Sequence, residues 1–289
     1  MIGRLLTAMV TPFREGRVDY EGAKKLAKAL VKSGSDGVVV SGTTGESPTL
    51  KKEEKLRLFE EVKKALPDKD VVAGTGSYST EESVELSKEA EKLGVDGLLL
   101  VTPYYNKPPQ DGLYEHFKRI ASSVSIPCIL YNIPSRTGVN LLPKTVKRLL
   151  EIDNIVGVKE SSGDLRQISN MIADGVRIWS GNDHDIFPIM RLGGYGAISV
   201  ASHLMGRSIK EMMEKTMEGK IEEAFKIHKE LTPLFDILFI VSNPIPIKYA
   251  LKTIGFDAGP PRLPLVPPDE ETARRIDEVL GKYEVEVEI

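Results

Sequence analysis

Lys159 is the residue in this chain most suited to covalent chemistry. It directly follows Ile155-Val156-Gly157-Val158, an apolar run with no other polar side chain. A lysine in so apolar a setting loses the hydration that an ammonium group needs, which favours the nucleophilic free amine. The plainer alternative is a side chain whose stem packs on the strand while its ammonium reaches water. The neighbouring residue types weigh towards chemistry. An amine that forms a Schiff base with a carbonyl must exchange protons at several steps, and hydroxyl groups can carry them. Tyr131 lies at the end of the preceding apolar run, and Thr43, Thr44 and Tyr105 follow others. Thr43 and Thr44 stand between Gly42 and Gly45, where a loop could turn N–H groups and hydroxyls towards a carboxylate, or could be a tight turn and nothing more. Arg136, after Pro134-Ser135, suits a second carboxylate bound through two parallel hydrogen bonds, although an arginine so placed more often makes a surface ion pair.

Other groups offer less. Asp183-His184-Asp185 has one histidine and no spaced partner, which argues against a metal centre. His116, His203 and His228 are scattered, and Cys128 sits inside an apolar run, where a small buried hydrophobe is expected. Gly193-Gly194-Tyr195-Gly196 resembles a phosphate loop, but it precedes an apolar run rather than following one, which places it away from strand-end chemistry.

These residues need elements to converge them. Short runs rich in Val, Ile and Leu, without clean alternation, occur at Leu5–Val10, Gly37–Ser41, Val71–Ala73, Gly97–Val101, Cys128–Tyr131, Ile155–Val158, Ile178–Ser180 and Ala197–Val200. Strands covered on both faces read this way. Amphipathic segments lie between them, such as Glu21–Ser33, Lys51–Leu66 and Thr80–Leu93, the last with Ser79 or Thr80 as a cap. Eight strand–helix units close naturally into a (β/α)8 TIM barrel, with an open doubly wound sheet as the rival. The candidate residues all fall at the C-terminal ends of strands, the face where barrels carry their chemistry. An echo, Ser33-Gly34-Ser35-Asp36-Gly37 and Leu93-Gly94-Val95-Asp96-Gly97, marks the unit period.

The expected division is a barrel over residues 1–219, carrying the active site, and a C-terminal helical region over 220–289. Helices are expected at Ile221–Ile240, interrupted by Pro233, and at Pro246–Ile254 and Glu270–Tyr283. The alternating tail from Glu284 to Ile289 fits a short strand or a frayed end. With 289 residues, a net charge of −3 and one cysteine, the chain excludes an intrachain disulfide and shows no basic field for nucleic acid or an anionic membrane. No run approaches a membrane helix, and a cytoplasmic location is expected.

Five motifs in order, Gly42-Thr43-Thr44-Gly45-Glu46-Ser47, Tyr104-Tyr105-Asn106-Lys107-Pro108, Tyr131 to Gly138, Val158-Lys159-Glu160 and Asn243-Pro244-Ile245-Pro246, resemble the dihydrodipicolinate synthase / N-acetylneuraminate lyase family. The resemblance covers about Gly3 to Pro267. It implies that Lys159 forms a Schiff base with pyruvate, and that Thr43, Tyr131 and Tyr105 relay protons, Tyr105 reaching in from a neighbouring subunit. It implies that Thr44 contacts the pyruvate carboxylate, that Arg136 contacts the carboxylate of L-aspartate 4-semialdehyde, and that Gly181 and Ile198 line the site. A homotetramer built as a dimer of dimers is implied, with no metal or organic cofactor. Arg136 favours the synthase branch over a sugar-acid aldolase of the N-acetylneuraminate lyase or 2-keto-3-deoxygluconate aldolase type. A catalytically silent binding protein on the same scaffold is disfavoured by the complete set of Lys159, Tyr131, Tyr105 and Thr43. Lysine-sensing members bind L-lysine near the positions of Ser47, Pro48, Lys52, Lys55, Tyr78, Glu82 and Tyr104. Bacterial ones typically carry histidines where Lys52 and Lys55 stand, so weak or absent feedback inhibition is expected.

Overall fold

A computed structural model describes residues 1–289. Eight parallel strands close into a barrel: β1 Leu5–Ala8, β2 Gly37–Val40, β3 Asp70–Gly74, β4 Gly97–Val101, β5 Cys128–Asn132, β6 Ile155–Glu160, β7 Ile178–Ser180 and β8 Gly196–Ser199. The last strand pairs with the first, Leu6 opposite Ile198, so no edge is left open. The lack of alternation now has its physical reason. Leu6, Val39, Val72, Leu99, Ile129 and Ile198 fill the barrel interior, while the intervening residues pack outward against the helices. Both faces of every strand are therefore dry.

Helices follow the strands on the outside: α1 Tyr20–Lys32, α2 Lys52–Ala65, α3 Thr80–Lys92, α4 Gln110–Ala121, α5 Pro143–Leu149, α6 Leu165–Ala173, α7 Ile186–Arg191 and α8 Ser202–Met217. Asp19 caps α1 by accepting from Gly22 N–H, and Ser79 caps α3 by accepting from Glu82 N–H. The echoed Asp residues do the same work at two places on the lower rim. Asp36 Oδ2 accepts from Leu5 N–H at the start of β1, and Asp96 Oδ2 accepts from Val71 N–H in β3. Lys210 and Lys63 pair with the two carboxylates at 2.7 and 2.8 Å. Each aspartate thus ties its own strand to the preceding one.

Three further helices complete the chain: α9 Ile221–Ile237, α10 Ile245–Thr253 and α11 Glu270–Leu280. Pro233 does not interrupt α9, contrary to the sequence expectation; the helix runs through it. The carbonyl that loses its partner is that of Lys229, on the exposed side where water can serve it. Thr232 Oγ1 adds a bond to the His228 carbonyl at 2.8 Å. The tail forms no strand, yet it is docked. Helix α8 is kinked at Met205 (φ −129°, ψ 49°) and needs a new cap beyond the kink. Glu286 supplies it, accepting from Arg207 N–H at 2.6 Å and Ser208 N–H at 3.1 Å, while Val287 is buried. No helix is long and apolar enough to cross a membrane.

Candidate active site

Strand alternation decides which polar residues at the upper rim face the barrel axis. Tyr131 and Lys159 are direct neighbours in the β5–β6 register and both point inward. Lys159 is 6% exposed, and its Nζ lies 4.2 Å from the centroid of the Tyr131 ring. The following pair, Asn132 and Glu160, points outward, with Asn132 Nδ2 donating to both Glu160 carboxylate oxygens at 3.1 Å. Burial raises the Glu160 carboxyl above the usual carboxylate range, against the hydrogen bonds from Asn132 and Ser162. Glu160 is therefore part of the scaffold behind the site, despite being next to Lys159 in sequence.

Gly181 earns its place by what it lacks. A Cβ there would collide with Ser161 Oγ and stand 2.9 Å from Lys159 Cε. Only glycine leaves room for the lysine side chain. Ile198, fully buried, belongs to the inner wall. Ser161, two residues beyond Lys159 on the same face, is buried, and its hydroxyl has no protein partner.

Above this floor opens a cavity of about 200 Å³ whose lining includes Ser41, Thr43, Tyr104, Tyr131 and Arg136. Lys159, Thr44, Gly181 and Ile198 are not in that lining. Tyr131 is common to both groups, with its ring against the lysine and its edge in the cavity. Arg136 sits on a single helical turn, Pro134–Thr137, started by proline and closed by Gly138 at φ 72°. Thr137 Oγ1 anchors the turn to the Ile133 carbonyl at 3.0 Å. The exposed Arg136 guanidinium donates from Nη2 to the Asn243 carbonyl at 3.5 Å. Tyr105 is not brought in. It is 91% exposed, at φ 73°, on the molecular surface.

The Gly42–Ser47 loop is held from the C-terminal helices. Thr44 is buried, and its Oγ1 accepts from Asn243 Nδ2 at 2.9 Å. Glu46 adopts a left-handed conformation (φ 57°) and meets Lys248 Nζ of α10 at 2.7 Å, both side chains almost fully buried. Its other oxygen accepts from Arg262 N–H at 2.8 Å, and the Arg262 guanidinium grips Glu54 through two 2.7 Å bonds. Burial lowers the Lys248 ammonium below its ordinary range, against the pull of Glu46. Sequence reasoning singled out neither Lys248 nor Arg262. It gave no role to Asn243 beyond its motif, nor to Ser161.

The weaker candidates disperse. Asp183 is buried and accepts from Val200 and Ala201 N–H at 3.2 and 2.9 Å, fixing the exit of β8. Burial raises its carboxyl, against those bonds and the charge of Lys159. His184 turns away to Asp236 (2.9 Å) and Asp185 to Asn182 (2.9 Å). Burial brings His116 and His203 down to about 4 and pushes the Cys128 thiol up to about 12, so none is a neutral-pH acid–base or thiolate group. A second cavity of about 430 Å³ gathers Ser47, Lys52, Lys55, Tyr78, Glu82 and Tyr104.

Residues 1–282 match the Dihydrodipicolinate synthetase family. A 4-hydroxy-tetrahydrodipicolinate synthase from Dehalococcoides mccartyi is 55% identical, the alignment covering 100% of this chain and 99% of the relative. Among solved structures, dihydrodipicolinate synthase from Aquifex aeolicus superposes with a TM-score of 0.96 at 43% identity, covering 99% of this chain and 100% of the other. The enzyme from Cyanidioschyzon merolae, with lysine bound, gives 0.94 at 44% identity, covering 97% and 98%.

Proposed function

The chain belongs to the dihydrodipicolinate synthetase family, and from that premise we propose that it condenses pyruvate with L-aspartate 4-semialdehyde as a 4-hydroxy-tetrahydrodipicolinate synthase, in the diaminopimelate route to lysine. It is a Schiff-base-forming lyase of the class I aldolase kind. The observation that carries the residue roles is the buried, inward-facing pair of Lys159 and Tyr131 at one level of the barrel.

In this reading the Lys159 amine adds to C2 of pyruvate. The carbinolamine loses water to give the imine, and a C3 proton leaves to give the enamine. C3 attacks the aldehyde carbon, whose oxygen takes a proton to become the 4-hydroxyl. The amino group of the second substrate then attacks the imine carbon, closing the ring and releasing Lys159. Tyr131, with Thr43 and Tyr105, carries the protons. Thr44 holds the pyruvate carboxylate, Arg136 the carboxylate of the aldehyde, and Gly181 and Ile198 shape the floor. Tyr105, exposed on its own subunit, serves the site of a neighbour in a homotetramer, and the enzyme works in the cytoplasm.

A guanidinium at the cavity mouth supports an acidic aldehyde over a sugar aldehyde. The test has two arms. Borohydride with pyruvate should leave a reduced pyruvyl group on Lys159, located by mass spectrometry; an adduct elsewhere, or none, rejects the mechanism. Initial rates with L-aspartate 4-semialdehyde, N-acetylmannosamine and glyceraldehyde should favour the first by orders of magnitude. A preference for either sugar aldehyde would move the chain to the aldolase branch.

A further inference from the structure

We propose that Asn243 is a positioning residue whose amide directs the Thr44 hydroxyl proton towards the carboxylate of the bound keto acid. The inference rests on the reading of Thr44 as the pyruvate-carboxylate contact.

A threonine hydroxyl has one proton and two lone pairs, and left alone it rotates to suit whatever is near. Here one lone pair is already used. Asn243 Nδ2 donates to Thr44 Oγ1 at 2.9 Å, across 199 residues of chain. The proton of Thr44 must then point elsewhere, and no protein acceptor takes it. Thr44 is buried beside Thr43, which lines the cavity, and an anionic substrate seated against this loop would receive the proton. The donor is thus set in place before the ligand arrives, which spares the cost of orienting it on binding.

The chemistry of the asparagine supports a role directed at Thr44. Asn243 is 6% exposed, so its amide is desolvated and its partners count. Its side chain makes that one hydrogen bond, and its Oδ1 has no partner. An amide kept only to pin the turn between α9 and α10 would be expected to bond that turn, and this one does not. Its backbone carbonyl meanwhile accepts from Arg136 Nη2 at 3.5 Å. One residue of the C-terminal region therefore touches both groups proposed to hold a substrate carboxylate, one through its side chain and the other through its main chain. Substitution at 243 removes only the first contact. The expected effect is on pyruvate rather than on the aldehyde.

Asn243→Asp is the sharp probe because it keeps the shape and reverses the hydrogen bond. An ionised carboxylate can only accept. It would draw the Thr44 proton to itself and set a negative charge near the substrate carboxylate. The KM for pyruvate should rise at least tenfold, kcat at saturating pyruvate should stay within about threefold, and the KM for the aldehyde should hardly move. Asn243→Ala, which removes the donor without adding charge, should raise the pyruvate KM about threefold. Thr44→Val is the reference. If it leaves the pyruvate KM unchanged, the underlying reading of Thr44 fails. If Thr44→Val raises that KM and Asn243→Asp does not, the positioning role fails alone. An equal rise in both KM values, or a rise confined to the aldehyde, also overturns it, since a merely structural residue would act that way. Should the Asp variant not fold, a Thr44→Val/Asn243→Ala cycle decides. The double variant should be no worse for pyruvate than Thr44→Val, and additive losses would refute the coupling.

Discussion

Tyr131 holds two places at once at the residue scale. Its ring packs against Lys159 Nζ, and the residue also lines the cavity. Tyr131→Phe separates these functions, because it keeps the ring and removes only the hydroxyl. Turnover should fall roughly 10²-fold or more, in the range usual for a lost acid–base group, while borohydride still traps pyruvate on Lys159. Wild-type turnover in the variant would mean that water moves the protons. Lys159 and Tyr131 drew attention in the sequence because each is a polar side chain at the end of an apolar run, whereas Thr43 and Arg136 were singled out only by the motifs around them. Neither signal assigned a role to Ser161 or Asn243. Serine and asparagine are ordinary loop residues, and their meaning lies in what they approach, a lysine side chain in one case and a threonine 199 positions away in the other.

At the scale of elements, the Gly42–Ser47 loop has little regular structure of its own and takes its shape from a buried ion pair. Nothing in the sequence separates Lys248 from the chain's other lysines. Yet it is 3% exposed against Glu46, with the Phe13 ring 4.2 Å away. Removing one member of such a pair leaves a desolvated charge, which typically costs about 3–5 kcal/mol. Lys248→Met should lower unfolding free energy in urea by about that amount. Glu46→Gln combined with Lys248→Met should restore much of it, because the stranded carboxylate is gone. A loss under about 1 kcal/mol for Lys248→Met would show that the pair is wet. The eight strands themselves were readable, with ends off by only a residue or two, since a strand dry on both faces leaves an unbroken apolar run. Pro233 misled because proline weakens a helix without always ending it, and here the carbonyl it orphans belongs to the exposed Lys229. The tail misled because its alternation serves docking on α8, with Val287 inward and Glu286 capping the kink.

The whole molecule carries one exposed aromatic cluster beside its second cavity. Tyr105, at 91% exposure, stands beside Tyr78 and Tyr104, whose rings meet edge to face at 5.3 Å. If Tyr105 completes a neighbour's site, dilution or an interface substitution that yields folded monomers should abolish turnover, and a fully active monomer would exclude the shared site. The same aromatic pair borders the second cavity, and its charges bear on regulation. Lys52 is already tied to Glu89 at 2.8 Å and Glu85 at 3.6 Å, so it adds little repulsion. The decisive group is Lys55. It is half-buried, burial lowers its ammonium below the ordinary lysine range, and Glu82 is the charge that opposes this. Lys55 therefore sets a positive charge near Glu82, the carboxylate that an incoming ammonium group would need. Lys55 can only donate, so while charged it offers that group no lone pair. Tyr78 also occupies the cavity lining with a large ring. We expect L-lysine to leave initial rates unchanged through the sub-millimolar range, and calorimetry to find no site of that affinity. Half-inhibition below 1 mM (about −4 kcal/mol of binding) would show that Glu82 is free to take the ligand in spite of Lys55.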